Sequence, residues 1–118
     1  MEKKLNYSFD DEPVSKFFYD MDNKKIEVHF KGYYDLQKEN ILIEKPCVFT
    51  IRDWKEAKSR VGDEEKSYDL NKHMGVFSMI LYMEFNSDDL EMLVNTIDNR
   101  YITLIFKEPI LSLKQETN

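Results

Sequence analysis

Residues 77–107 read "FSMILYMEFNSDDLEMLVNTIDNRYITLIFK", and this stretch decides the fold. Phe77, Met79, Leu81, Met83 and Phe85 alternate with positions of which Ile80 and Tyr82 are also apolar. A period of two places side chains on one face of a β-strand. Apolar residues on both faces, with Val76 just before, predict a central strand covered on both sides. Asn86-Ser87-Asp88-Asp89 is turn chemistry, because Asn and Asp bond their own backbone and tolerate left-handed conformations. Residues 90–97 read as the next strand, with a short helix as the alternative. Asp98-Asn99-Arg100 turns the chain again, and residues 101–107 form a third strand. Pro109 ends it, since proline has no N–H to give to a ladder. Residues 110–113 are expected to pair at an edge. Together these make an antiparallel meander.

The N-terminal half repeats the pattern. Residues 14–19 and 25–34 are strand candidates around the turn Asp20-Met21-Asp22-Asn23, so residues 8–35 read as a hairpin. In the second of them Ile26, Val28, Phe30, Gly32 and Tyr34 alternate with Lys25, Glu27, His29, Lys31 and Tyr33. Residues 41–51 form a further strand, interrupted at Lys45-Pro46, where an edge or a bulge is expected. "DWKEAKSR", residues 53–60, is rich in helix formers, with Asp53 and Glu56 at capping-box spacing, and predicts a short helix. Residues 61–72 read as a charged surface loop. The expectation is one domain over residues 1–118, mainly β and at most marginally α+β. Its antiparallel sheet forms a sandwich or is partly rolled, with one or two short helices.

The chain has 118 residues, of which 42% are hydrophobic and 14% aromatic, enough for one core without a metal or disulfide staple. Three Gly and three Pro exclude collagen-like and low-complexity classes. Cys47 is the only cysteine, so no internal disulfide forms and a reducing compartment is expected. The opening "MEKKLNYSFDDE" lacks the apolar run of a signal peptide, and the run at residues 76–85 is too short to cross a bilayer. These features predict a cytoplasmic protein without membrane association. Net charge is −6, which argues against direct nucleic-acid binding. Residues 76–118 carry three basic and seven acidic side chains, so the last third is the most acidic.

No sequence template for catalysis is found: no G-x-S-x-G, P-loop, dinucleotide fingerprint, H-E-x-x-H or C-x-x-C. His29, His73 and Cys47 fit no zinc spacing, and Cys47 lies in an apolar run unlike the setting of a reactive thiol. The expectation is a non-enzyme without metal or cofactor. Trp54 is the only tryptophan. It reads either as a core-edge residue or as an exposed binding anchor. Arg52, Lys55, Lys58 and Arg60 around it read as a solvated helix face. Three acidic clusters remain: Asp10-Asp11-Glu12, Asp63-Glu64-Glu65, and Asp88-Asp89 with Glu91. Each alone is a solvated turn. Jointly they suggest an acidic surface that steers a basic protein partner. The candidate partner-binding residues are therefore Asp10, Asp11, Glu12, Asp88, Asp89, Glu91 and Trp54.

The order "SFDDEPV", "FFYDMDNKKIEVHF" and "DWKEA" resembles small β-rich bacterial immunity proteins of polymorphic-toxin and contact-dependent inhibition systems. Some of these open with a Phe-His-Asp-containing strand and a hairpin with an Asn-Lys tip; here Asp10 stands where that pattern has histidine. The resemblance implies a cytoplasmic inhibitor that binds a cognate toxin domain, often a nuclease, without catalysis or cofactor. It carries over no functional residue by position. Two other functions remain open: a structural or adaptor domain of a bacterial assembly, and a small ligand-binding or enzymatic β domain using Tyr33, Tyr34, His29 and a carboxylate.

Overall fold

A computed structural model describes residues 5–62, 64 and 66–116. The chain is mainly β. It runs β1 (Tyr7–Ser8), β2 (Val14–Asp20), β3 (Lys25–Phe30), β4 (Tyr33–Asp35), a 3₁₀ turn (Leu36–Lys38), β5 (Ile41–Ile43), β6 (Cys47–Arg52) and β7 (Glu56–Val61). Then follow β8 (Tyr68–Asp69), a one-turn helix α1 (Leu70–His73), β9 (Phe77–Asn86), β10 (Asp89–Thr96), β11 (Tyr101–Lys107) and β12 (Ile110–Gln115). All pairings are antiparallel, in sheets ordered β8-β7-β11-β10-β9, β12-β6-β3-β2 and β1-β4-β5.

The two larger sheets bury their inner faces against each other. In β3, Ile26, Val28 and Phe30 are buried while Lys25, Glu27 and His29 are only partly so. In β11, Ile102, Leu104 and Phe106 are fully buried. Phe17 of β2 meets Phe77 of β9 with ring centroids 4.4 Å apart, and an isolated bridge between Pro13 and Met79 joins the same two edges. The sandwich is therefore closed at that corner. The expected hairpin at residues 8–35 forms around Asp20, whose Oδ1 accepts the Asn23 N–H at 3.1 Å.

Four expectations need correction. The helix expected over residues 53–60 is instead strand β7, held between β11 and β8. Its Ala57, Ser59 and Val61 face inward and its Glu56, Lys58 and Arg60 outward, a period-two pattern hidden under good helix formers. Two flanking ladders outweigh propensities worth a few tenths of a kcal/mol per residue. Asp53 takes a left-handed φ of 53° and is not an N-cap. Second, β9 is not central but the edge of its sheet. Its register shifts twice against β10, so Leu81 and Ser78 are skipped. The inward set is thus Phe85, Met83, Ile80 and Phe77, opposite Leu90, Met92, Val94 and Thr96, and Leu81 does not lead a continuous buried face. Third, the expected strand at residues 25–34 breaks after Phe30. A Cβ on Gly32 would lie 2.8 Å from the Ile43 carbonyl oxygen, so only glycine lets the chain step into the small sheet there. Fourth, residues 61–72 are not all loop but hold β8 and most of α1; Asp63 and Glu65 lie outside the described residues.

Candidate functional site

Phe9 fixes the first acidic cluster. It follows β1, is fully buried, and stacks on Phe30 with ring centroids 4.2 Å apart and planes 7° apart. It also packs at 5.0 Å on Phe49. Directly after this plug the chain turns. The Glu12 N–H donates to the Phe9 carbonyl at 2.9 Å, the Asp10 N–H donates to the Ser8 hydroxyl at 3.2 Å, and Asp11 adopts a left-handed φ of 63°. Asp10 and Asp11 are exposed, Glu12 is partly so, and none of the three is ion-paired among the described residues.

The turn overlooks the outer face of the small sheet, where Ser8, Tyr34 and Leu42 stand in register across β1, β4 and β5. Ser8, Asp10, Asp11, Tyr34, Leu36 and Asn40 line one groove of about 310 Å³. Leu36 is held there by the 3₁₀ turn, which Asp35 caps by accepting the Gln37 N–H at 3.0 Å, and by its own N–H bond to the Asn6 carbonyl at 2.9 Å. Beside the groove, β5 is the sheet's outer strand with a single ladder partner, and Ile41 and Leu42 are exposed. An apolar floor, two carboxylates without ion pairs among the described residues and an open strand edge thus occur together. Such a surface can seat the aliphatic stem of a Lys or Arg and meet its charged head.

The second cluster lies on a different sheet. Asp88 sits at the tip of the β9–β10 hairpin, next to Ser87 with its left-handed φ of 63°. Asp89 stands opposite Lys107, and Glu91 stands opposite Glu84. The Tyr82 hydroxyl donates to Glu91 Oε2 at 3.0 Å; burial first, then this bond, raises the Tyr82 pKa. Asp89 lines a depression of about 250 Å³ with Glu56, Ala57, Lys58, Ile105 and Lys107, which shares no residue with the Asp10–Asp11 groove. The two acidic clusters thus sit beside different sheets and line different depressions.

Trp54 is corrected as a binding anchor: it is 5% exposed and packs on Phe106 at 5.0 Å between ring centroids. Indole burial in the core leaves no surface for a partner. Arg52, Lys55, Lys58 and Arg60 line no helix; Lys58 and Arg60 lie on the outer face of β7. Residues considered for a ligand site diverge. His29 Nδ1 lies 2.6 Å from Glu116 Oε1 on the outer face of β3, the Tyr33 hydroxyl accepts from Gln115 at 3.0 Å, and Tyr34 faces the groove. Among the described residues no three His, Cys, Asp or Glu side chains are grouped to hold a metal ion. Cys47 is buried, and burial pushes its thiol up to about 11. No helix among the described residues is long and apolar enough to cross a membrane.

Of the groove residues, Leu36 and Asn40 are not singled out from sequence, and Tyr34 is named only for a ligand pocket with Tyr33 and His29. The available signal was Ile41-Leu42-Ile43, three apolar residues in a row on a strand with a solvent-facing side. Comparison with protein-family models, curated proteins and solved structures finds no match.

Proposed function

We propose that this chain is a non-catalytic protein-binding inhibitor, an immunity protein that neutralises a cognate bacterial toxin domain by covering it. One observation carries the reading: Asp10 and Asp11, without ion pairs among the described residues, rim a groove floored by Tyr34 and Leu36 beside the open edge of β5. Interface hot spots have this make-up, an aromatic or aliphatic pocket with a charge that a partner desolvates. The net charge of −6 and the absence of catalytic sequence templates favour a basic protein over a substrate as the ligand. The resemblance to small immunity proteins points the same way.

Co-expression with the toxin-like product of a neighbouring reading frame tests the proposal. Wild-type chain should restore growth, and surface plasmon resonance should detect a direct complex. Tyr34→Ala and Leu36→Ala should each weaken binding by about 1–2 kcal/mol or more. Asp10→Asn with Asp11→Asn should slow association in a salt-dependent way if the acids only steer, or cost about 2–5 kcal/mol if the partner desolvates them. Rates unchanged in all these variants would remove the groove from the function.

A further inference from the structure

An antiparallel sheet covered on one side normally shows water a polar outer face. The outer face of the four-stranded sheet is mixed, presenting Lys25, Glu27, His29, Thr50, Arg52 and Lys114 together with the exposed Phe18 and Ile110. The outer face of the five-stranded sheet is apolar in part too, and its charges are divided by sign. Its register places Tyr82, Leu93, Ile105 and Tyr101 on the outer face, with Tyr82 36% and Tyr101 51% exposed.

Charge on this face is divided between its halves. Glu84 on β9 and Asp89 and Glu91 on β10 occupy one side; Lys107 on β11 and Lys58 and Arg60 on β7 occupy the other. Glu56 and Asp69 moderate the basic half at its margin, Glu56 lying 3.8 Å from Lys58 Nζ. Glu84 and Glu91 are direct cross-strand neighbours, and neither has an ion-pairing cation among the described residues. Like charges directly opposite each other destabilise a sheet. Among the described residues only the neutral Tyr82 hydroxyl offers this pair a donor.

We infer that this face binds a second copy of the chain, about a twofold axis parallel to the strands and running between β10 and β11. That operation lays β9 over the partner's β7 and β10 over the partner's β11. Register then sets Glu84 against the partner's Lys58, Tyr82 against the partner's Arg60, and Asp89 against the partner's Lys107. Leu93 lies near the axis. Every pairing occurs twice, as an isologous interface requires. The four overlaid strands, each about 4.8 Å wide, and seven residues of about 3.4 Å give an overlap of roughly 19 by 24 Å. Two such faces bury about 900 Å², under the roughly 1,000 Å² of a stable specific interface, so the dimer is weak and reversible. Asp89, expected from sequence to meet a basic partner, here meets the partner's Lys107, and Glu91 lies over the partner's Ile105. The face shares no residue with the Asp10–Asp11 groove, so the inference does not depend on the proposed function.

Sedimentation velocity from about 5 to about 500 µM spans the range where a weak dimer dissociates and forms. Wild type should shift from monomer toward dimer, less so in high salt. Glu84→Lys and Lys58→Glu should each weaken association at least about tenfold, because each sets like charges face to face. An equimolar mixture of the two single variants should associate again, since the two substituted side chains then meet across the interface with opposite charge. Rescue in the mixture is specific to contact between copies; repair within one chain does not produce it. Cooperative thermal unfolding well above the assay temperature confirms that both variants fold. A wild type monomeric throughout, single variants that self-associate like wild type, or a mixture that stays monomeric would each overturn the inference.

Discussion

Replacing Phe9 by Ala should lower the stability of the whole domain, although Phe9 follows a strand of only two residues near the N-terminus. Phe9 is fully buried, stacked on Phe30 and packed on Phe49. Truncating a buried phenylalanine costs about 3–5 kcal/mol, from lost transfer energy plus the cavity left behind. The stack on Phe30 contributes about 0.5–1.5 kcal/mol within that loss. Phe9→Leu keeps most of the volume and should cost only about 1–2 kcal/mol, mainly the aromatic part. Domains of this kind hold about 5–15 kcal/mol in all, so Phe9→Ala removes a large fraction. Urea unfolding followed by tryptophan fluorescence measures it cleanly. Trp54 is the only tryptophan and is packed on Phe106 inside the sandwich, so its signal reports the main core and not the small sheet. The midpoint should fall without a change in slope. If the Trp54 transition stays put while β1 and β4 amides lose hydrogen-exchange protection, Phe9 secures only a detachable flap. The reasoning that makes it a core residue then fails. The same substitution should loosen the turn bearing Asp10 and Asp11, so partner binding should weaken together with stability.

Further outcomes follow from other sites. Cys47, buried with its thiol raised to about 11, should react with a disulfide reagent at pH 8 only as fast as the chain unfolds, because roughly one thiol in a thousand is ionised there; rapid labelling of native protein would contradict its burial. Glu39 ends the 3₁₀ turn with a left-handed φ of 56° and an exposed side chain, so Glu39→Gly should raise stability by about 0.5–1 kcal/mol in urea unfolding, and a loss would refute the strain assigned to it. The Thr96 hydroxyl, then Arg100, hold the Asp98 carboxyl below its usual range. A depressed folded pKa gives stability that is present above the unfolded value near about 4 and lost as pH falls through the folded value. Asp98→Asn should therefore flatten the decline of the melting temperature at acid pH, and an unaltered pH profile would rule the linkage out. Thermal melts with and without a chelator should superimpose if the fold needs no metal.

Much of the fold was legible in the sequence because its signals are local. The meander at residues 77–107 announces itself through alternation and turn residues, and the bounds expected for β11 match the structure. The Asp20–Asn23 turn is equally local, one side chain bonding an amide three residues on. The exposure of the candidate acidic turn was legible too: Asp10 and Asp11 stand exposed at the start of a hairpin. Only tertiary structure decided the rest. Glu56–Val61 carries helix formers and a two-residue period at once, and the ladders to β8 and β11 choose between them. Trp54 carries no local mark that it turns inward; Phe106, far along the chain, makes its pocket. The bulges of β9 reassign which residues face the core, and they exist only in register with β10. The groove needs Asp10 and Tyr34 side by side, and the dimer face needs Glu84 across from Glu91 and Lys58 two strands beyond Glu91. Sheet order sets these neighbours. It arises from pairing between distant segments, whose entropy of closure and shared burial no short window of sequence contains.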